Sequence, residues 1–392
     1  MKLSFMTIYG AAAALLVASC SSTSGTPIAA PSSALHLDVG QFPVTKRNIE
    51  APATPRAARP LEIQRMFTTM PIVTDVAPTM KYVAGVHNAI ATTLADSFGA
   101  GIAQAVSAAQ FGISIDYRDK LHTDGAREFL VVLIRMPSAD AANSAVTDPQ
   151  VMGTDDPVLG SDAPKPKSAL TISEQPTARA FTKTSGDSTS TVALMAHDRF
   201  VFGVWTSLPD STSSVGAYLT QQLKGLDGFA ATPDDKLTAL PPDSEDGVRA
   251  LTLPFKSKDE STIFTDGWAT VRGYPSQTRE PAQERTDLTD AGVDVIGLGA
   301  STTYRARDAA GASLLADRLI AAQSLEIPGG SNWTVTDIPN SKCYTARDTP
   351  THGVAHCVVP VGRYLAEYSS PQPANTRQAI AAAYLILRTA GG

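Results

Sequence analysis

The side chains with the widest chemical reach in this 392-residue chain gather near its end: Cys343, His352, His356 and Cys357. Two thiols and two imidazoles are a legitimate zinc set. Their spacing argues against it. His352 and His356 would share a face only on a helix, and Gly353 and the strand-like run after it do not suit one. The competing account is a disulfide between Cys343 and Cys357. A second cluster is Tyr304-Arg305-Ala306-Arg307-Asp308. Arg305 and Arg307 at a strand end, beside a helix N-terminus, could contact an anion. The plainer alternative is an alternating strand with exposed arginines, one of them paired with a nearby acid.

Other catalytic signatures fail. A nucleophile elbow needs G-x-S-x-G, and in Gly297-Leu298-Gly299-Ala300-Ser301 the serine is displaced. No serine stands three residues before a lysine, and no H-E-x-x-H occurs. Gly99-Ala100-Gly101 lacks the third glycine of a phosphate loop and suits helix packing equally well. His36, His87, His122 and His197 are isolated and read as loop or surface residues. The sequence therefore assigns no catalytic residue, no metal and no cofactor.

The third cysteine, Cys20, says where the chain goes. A thin positive end, Met1-Lys2, precedes an apolar segment from Ile8 to Ala18. That is too short to span a bilayer and suits a secretory signal peptide over residues 1–19. Val17-Ala18-Ser19-Cys20 resembles a bacterial lipobox, in which the cysteine is lipidated and becomes the mature N-terminus. Cys20 is thus the expected lipidation site. The expected location is the extracytoplasmic face of the cell membrane, held by several acyl chains. An exported chain meets conditions in which disulfides persist, which favours pairing Cys343 with Cys357. Residues 20–60 are rich in Ser, Thr, Pro, Gly and Ala and read mostly as a flexible tether, with a short extended piece at Leu35-Pro43. The net charge of −6 and the lack of a basic patch exclude nucleic acid as a partner.

The elements behind these residues repeat. At an offset of 164, Arg199 falls on Arg363, Phe200 on Tyr364 and Pro209 on Pro373. Both copies read as strand, two-residue turn, strand, Pro-containing loop and helix, with turns at His197-Asp198 and Val361-Gly362. Val215, Tyr218, Leu219 and Leu223 stripe the first helix, with Gly225 as its stop, and Ile380, Tyr384 and Leu387 stripe the second. Upstream, Phe129–Val146 and Val293–Gln323 each read as a buried strand leading into a helix. Asp308 is the expected N-cap of the second, and Ala312, Leu315, Leu319 and Ala322 its buried stripe. At the same offset Cys343 and Cys357 fall on Arg179 and Ala193.

The expected fold is α+β. Two related domains, 61–231 and 248–392, would each be an antiparallel sheet with helices packed on it, in β-α-β-β-α order, joined by a linker at 232–247. Thr147–Glu174, rich in Pro, Asp, Gly and Ser, is long for a structureless loop and reads as a solvated excursion or a functional loop.

Four stretches carry a family resemblance: Leu35–Arg47, Leu61–Met80, Ala291–Ala310 and Cys357–Ser370. Together they resemble actinobacterial cell-envelope lipoproteins, of mycobacterial and nocardial type, with a paired domain of unknown function. The resemblance implies lipid anchoring, an exported body and two related domains, and it brings no catalytic residue. The functional expectation is a non-enzymatic protein that binds an envelope lipid, a glycolipid or a protein partner. The alternatives are a cryptic Ser/His hydrolase and a purely structural envelope protein.

Overall fold

The run Phe129–Ile134 is too uniformly apolar for a strand with one wet face, and it has none. In the computed structural model, strand β3 (Glu128–Arg135) sends Phe129, Val131 and Leu133 into one core and Val132 and Ile134 into another. The structure describes residues 37–89, 94–95, 97–121, 125–153, 167–185, 188–256, 264–347 and 353–391.

The sheet containing β3 has seven strands, in the order β1 (Tyr82–Asn88), β2 (Phe111–Arg118), β3, β7 (Phe200–Thr206), β6 (Ser188–His197), β5 (Arg179–Ser185) and β4 (Lys167–Leu170). Every neighbouring pair is antiparallel. Helices α1 (Pro55–Phe67) and α5 (Thr212–Leu226) cover one face, and α2 (Ala100–Ala105), α3 (Ala139–Thr147) and α4 (Pro149–Met152) the other.

The second half repeats this order: β8 (Gly267–Thr270), β9 (Val295–Leu298), β10 (Thr302–Arg305), β14 (Tyr364–Ser370), β13 (Gly353–Val361), β12 (Lys342–Arg347) and β11 (Ser331–Trp333), again antiparallel throughout. Helix α8 (Pro373–Gly391) covers one face, and α6 (Pro281–Asp290) and α7 (Ala309–Glu326) the other. The α+β class, the duplication and the antiparallel sheets are as expected. Each half, however, opens with a strand, a helix and a further strand that the periodicity did not reveal. Val293–Arg307, read as one strand, is the hairpin β9–β10.

The hairpin turns shift by one residue, to Asp198-Arg199 and Gly362-Arg363. The first turn residue carries a left-handed φ in both copies, 48° at Asp198 and 55° at Gly362, a conformation that Asp and Gly accept and β-branched Val resists. Gly225 does not stop α5, which runs on to Leu226. A Cβ there would lie 2.2 Å from the Thr69 carbonyl oxygen, so the glycine serves close packing. Asp308 caps α7 as expected, accepting from Gly311 N at 2.8 Å.

Two boundaries are corrected. Described residues of the expected tether are tied down: Leu37, Val39 and Phe42 pack into the core under α8, Arg47 binds Thr252 and Asp266, and α1 begins at Pro55. The expected linker carries a 3-10 helix at Asp234–Ala239. Arg135, which is fully buried, bonds Glu62 at 3.0 Å, Asp234 at 2.6 Å and the Thr232 carbonyl at 2.5 Å. Leaving that guanidinium unpaired would be costly, so the linker is held in place. Of the Thr147–Glu174 stretch, residues 154–166 lie outside the described residues.

The halves also touch. Gln64 bonds Gln277 and the Phe264 carbonyl, Arg285 forks onto Asp75 at 2.7 and 2.8 Å, and Val83 N donates to Arg279 O.

Candidate functional site

Strand alternation places the site. Tyr304 on β10, His356 on β13 and Glu367 and Ser369 on β14 all point to the face covered by α6 and α7, because Tyr304 is paired with Leu365 and His356 with Ser369. Where the helices cover this face fully, the neighbouring side chains are Val358 and Leu365. Toward the first half the cover ends, and a cavity of about 360 Å³ opens. The 3-10 turn Tyr274–Gln277 supplies Tyr274, α6 supplies Glu284 and Asp287, and the last turns of α7 supply Ala322, Gln323, Leu325 and Glu326. Tyr82 and Leu121 close it from the first half.

A directed hydrogen-bond chain runs along one wall. Tyr304 OH donates to Glu367 Oε2 at 2.6 Å. Its single proton is thereby used, so the 3.1 Å contact with Tyr274 has Tyr274 OH donating to Tyr304. The two rings meet edge to face at 5.9 Å. Burial pushes both phenols well above their usual range, and the Glu367 charge adds to it. They are neutral donors at every physiological pH.

His356 is 4 % exposed. Its Nδ1 shares a hydrogen bond of 2.7 Å with Ser369 Oγ. Its Nε2 has no partner and lies 3.6 Å from Glu367 Oε1, beyond hydrogen-bond length. Burial lowers the imidazole pKa, with Glu367 pulling weakly the other way. The ring is neutral, and its contact with Glu367 is no ion pair.

Glu284 keeps some exposure along its stem, but its Oε1 is out of solvent contact and has no partner. Burial pushes its carboxyl up to about 8, helped by the charges of Glu367 and Asp287. Asp287 itself is satisfied by Arg318 and Gln283, each at 2.9 Å. Arg279, at the rim, pairs with Glu326 at 2.7 Å. Two leucines flank the mouth with unusual exposure, Leu325 at 81 % and Leu121 at 36 %. The site therefore combines a polar floor holding two unspent valences with an apolar lip.

The residues singled out from the sequence lie elsewhere, save His356. Cys343 and Cys357 pair across β12 and β13 with sulfurs 2.02 Å apart, on the α8 face of the sheet, away from the cavity. Register puts Ala180 opposite Ala193 in the first half, so the counterpart of Cys343 is Ala180, not Arg179. Arg305 is forked onto Asp294 at 2.8 and 2.9 Å and also meets Asp246, leaving no charge for an anion; Arg307 is mostly exposed beside Asp308. The paired-arginine alternative describes them. Ser301 is buried and accepts from Leu253 N at 2.8 Å. Gly101 lies against the Gln150 carbonyl, a helix-packing role. His87 is exposed on β1, and His197 lies 3.7 Å from Asp198 and Asp227. Cys20, His36, His122 and His352 are outside the described residues. Among the described residues, no group of three or more His, Cys, Asp or Glu is placed to hold a metal ion, and no helix is long and apolar enough to cross a membrane.

Tyr274, Glu284 and Glu367 escaped the sequence reading, and Tyr304 was noted only as the start of a cluster whose chemistry was assigned to Arg305 and Arg307. The available signal was Glu367: a carboxylate two residues from Leu365, on the inward side of a strand buried on both faces.

Family models for the N-terminal and C-terminal parts of a domain of unknown function, DUF7373, match residues 49–242 and 264–390. The chain belongs to the DUF7373 family. The two matched segments of DUF7373 correspond to the two sheet-centred halves, and the cavity lies on the C-terminal segment where the N-terminal one meets it. Comparison with curated proteins returns no match.

Proposed function

We propose that this chain is an exported, lipid-anchored, non-enzymatic binding protein that receives the polar head of a small amphiphile in the cavity between its halves. The observation that carries the reading is the pair of buried polar atoms without partners, His356 Nε2 and Glu284 Oε1, on the floor of one cavity. Buried polar groups are nearly always satisfied, and the exceptions call for a cause. A bound ligand supplies one. The exposed Leu121 and Leu325 at the mouth suit an apolar arm leaving the site. The volume fits a head group or a short amphiphile, not a long acyl chain. Export and anchoring rest on the leader at residues 1–19, on Cys20 and on the resemblance to actinobacterial envelope lipoproteins.

Organic extraction of the purified full chain, followed by mass spectrometry, tests this. Wild type releases a stoichiometric amphiphile, and the double variant Glu284→Leu/His356→Leu does not. Equal recovery from both contradicts the reading.

A second reading is favoured by one contact. Ser369 is exposed, its Oγ lies 2.7 Å from His356 Nδ1, and Glu367 stands beyond the other ring nitrogen. That order of groups is the one a serine hydrolase uses, although the ring is turned the other way and the carboxylate is too far to orient it. A fluorophosphonate probe that labels the wild type and not Ser369→Ala would establish this reading in place of the first.

A further inference from the structure

The cavity is lopsided in charge. Glu280, Glu284, Asp287, Glu326 and Glu367 face it, against Arg279 alone among the lining cations; Arg279 is already paired with Glu326, and Asp287 is held by Arg318 from outside the lining, so the excess lies with Glu280, Glu284 and Glu367. An anionic head would meet five carboxyl groups and no unspent cation. A neutral head could meet the hydrogen bonds but would leave the acidic excess uncompensated. We infer that the head taken by this cavity is an organic ammonium ion, its N–H groups directed at Glu284 and Glu367 and its apolar arm leaving between Leu121 and Leu325. The inference rests on the binding function proposed above and names the chemistry of its ligand.

The geometry supports this from each wall. Glu284 on α6 offers an oxygen without a partner. Glu367 on β14 has one oxygen held by Tyr304, while Oε1 lies 3.6 Å from His356 Nε2, beyond hydrogen-bond length. The Tyr274 and Tyr304 rings supply π surface, which attracts cations. His356 on β13 is neutral and does not repel one. The groups that share the cavity with Glu284 are Asp287 on its own helix, Glu280 just before it, Glu367 on β14, Tyr274 and Tyr304, His356 on β13, Glu326 on α7, Tyr82 on β1 and the rim Arg279. A cation placed among them favours the ionised carboxylate. Glu284 therefore loses its proton to solvent as the ammonium binds, and no covalent bond changes.

Proton linkage sets the test. The free carboxyl titrates at about 8, so at pH 7 most molecules release a proton on binding the cation. Calorimetric titration of the purified full chain, with hexylammonium, hexyl glucoside and hexanoate as probes, reads it. Hexylammonium binds, and its Kd falls by about tenfold from pH 6 to pH 7 and levels off above about pH 8. Hexanoate does not bind. Glu284→Gln weakens hexylammonium binding and removes the pH dependence. At pH 6 glutamine mimics the protonated carboxyl, so an unchanged melting temperature there separates lost binding from lost folding. Binding of hexyl glucoside without hexylammonium overturns the ammonium assignment and leaves the cavity as a binding site. Binding of no probe overturns both. Wild-type affinity and pH slope in Glu284→Gln overturns the assignment as well.

Discussion

The two halves share one sheet order, and the same face of that sheet is dry in one and wet in the other. At the offset of 164, His356 corresponds to Val192, Glu367 to Gly203 and Ser369 to Trp205. By strand register Tyr304 corresponds to Ile134. In the first half Val192 and Ile134 are sealed beneath α2, α3 and α4. Gly203 leaves no room for a side chain, since a Cβ would stand 2.5 Å from the Ala193 carbonyl. The duplicated scaffold folds with an apolar face, so the polar set of the second half is no requirement of the architecture. The halves also treat buried charge differently. Arg135 in the first is fully buried and fully paired, whereas Glu284 in the second has an oxygen with no partner; the first half has such an oxygen too, on Asp116, but beside Arg118 and outside any cavity like this one.

The largest expected effect tests the paired side of that contrast. Arg135→Ala removes the buried guanidinium that joins Glu62 to Asp234, leaving Glu62 to Arg65 and Thr232, and should cost about 3 kcal/mol in urea unfolding. A change under about 1 kcal/mol would mean that the Glu62–Arg135–Asp234 network is not what fixes the 232–247 segment. Next comes the cross-link, present in only one half. Cys343→Ala/Cys357→Ala should lower stability by about 3 kcal/mol, and Ala180→Cys/Ala193→Cys should form the matching bond in the first half. Failure of that second pair to oxidise would show that the two hairpins are not in equivalent register.

A smaller effect, of opposite sign, tests the unpaired side. Glu284→Leu should raise stability at pH 8 by about 1–3 kcal/mol, because it removes a buried group with no partner. The pH dependence follows from linkage. The folded carboxyl titrates at about 8 against an ordinary 4.5, so between these values the native state holds the extra proton. Wild-type stability therefore declines relative to Glu284→Leu as pH rises from about 4.5 to 8, and the gap is constant above that. Wild type gaining stability relative to Glu284→Leu as pH rises over that range contradicts the account. Smallest of all, Tyr304→Phe should cost about 1 kcal/mol, for the lost bond to Glu367.

How much of this was legible depended on periodicity. The β6–β7 and β13–β14 hairpins and α7 with its Asp308 cap carry local patterns and were readable, and the Cys343–Cys357 pair followed from an exported chain with two cysteines to spare. The opening strand of each half was not. Tyr82–Asn88 interrupts its apolar residues with Gly85 and His87, and Gly267–Thr270 is too short to set a period. Docking of Leu37–Phe42 under α8 was half legible: Leu35-Pro43 stood out from the tether as an extended piece, but nothing local says which core it joins. The site was illegible for a different reason. Tyr274, Glu284, Tyr304, His356 and Glu367 sit on five separate elements, and only strand register together with the packing of α6 and the Tyr274 turn on the sheet brings them together. His356 drew notice for its proximity to Cys357, yet the two point to opposite faces of β13.

Everything specific to the second half turns on the state of one carboxyl. Carbon-13 detected titration of side-chain-labelled glutamate, assigned with Glu284→Gln, measures it in the free protein and with saturating hexylammonium. The account predicts a midpoint near 8 in the free protein, falling by more than about two pH units when the cation binds, as the steep pH dependence of Kd requires. A midpoint near the ordinary 4.5, unchanged by the cation, would contradict it.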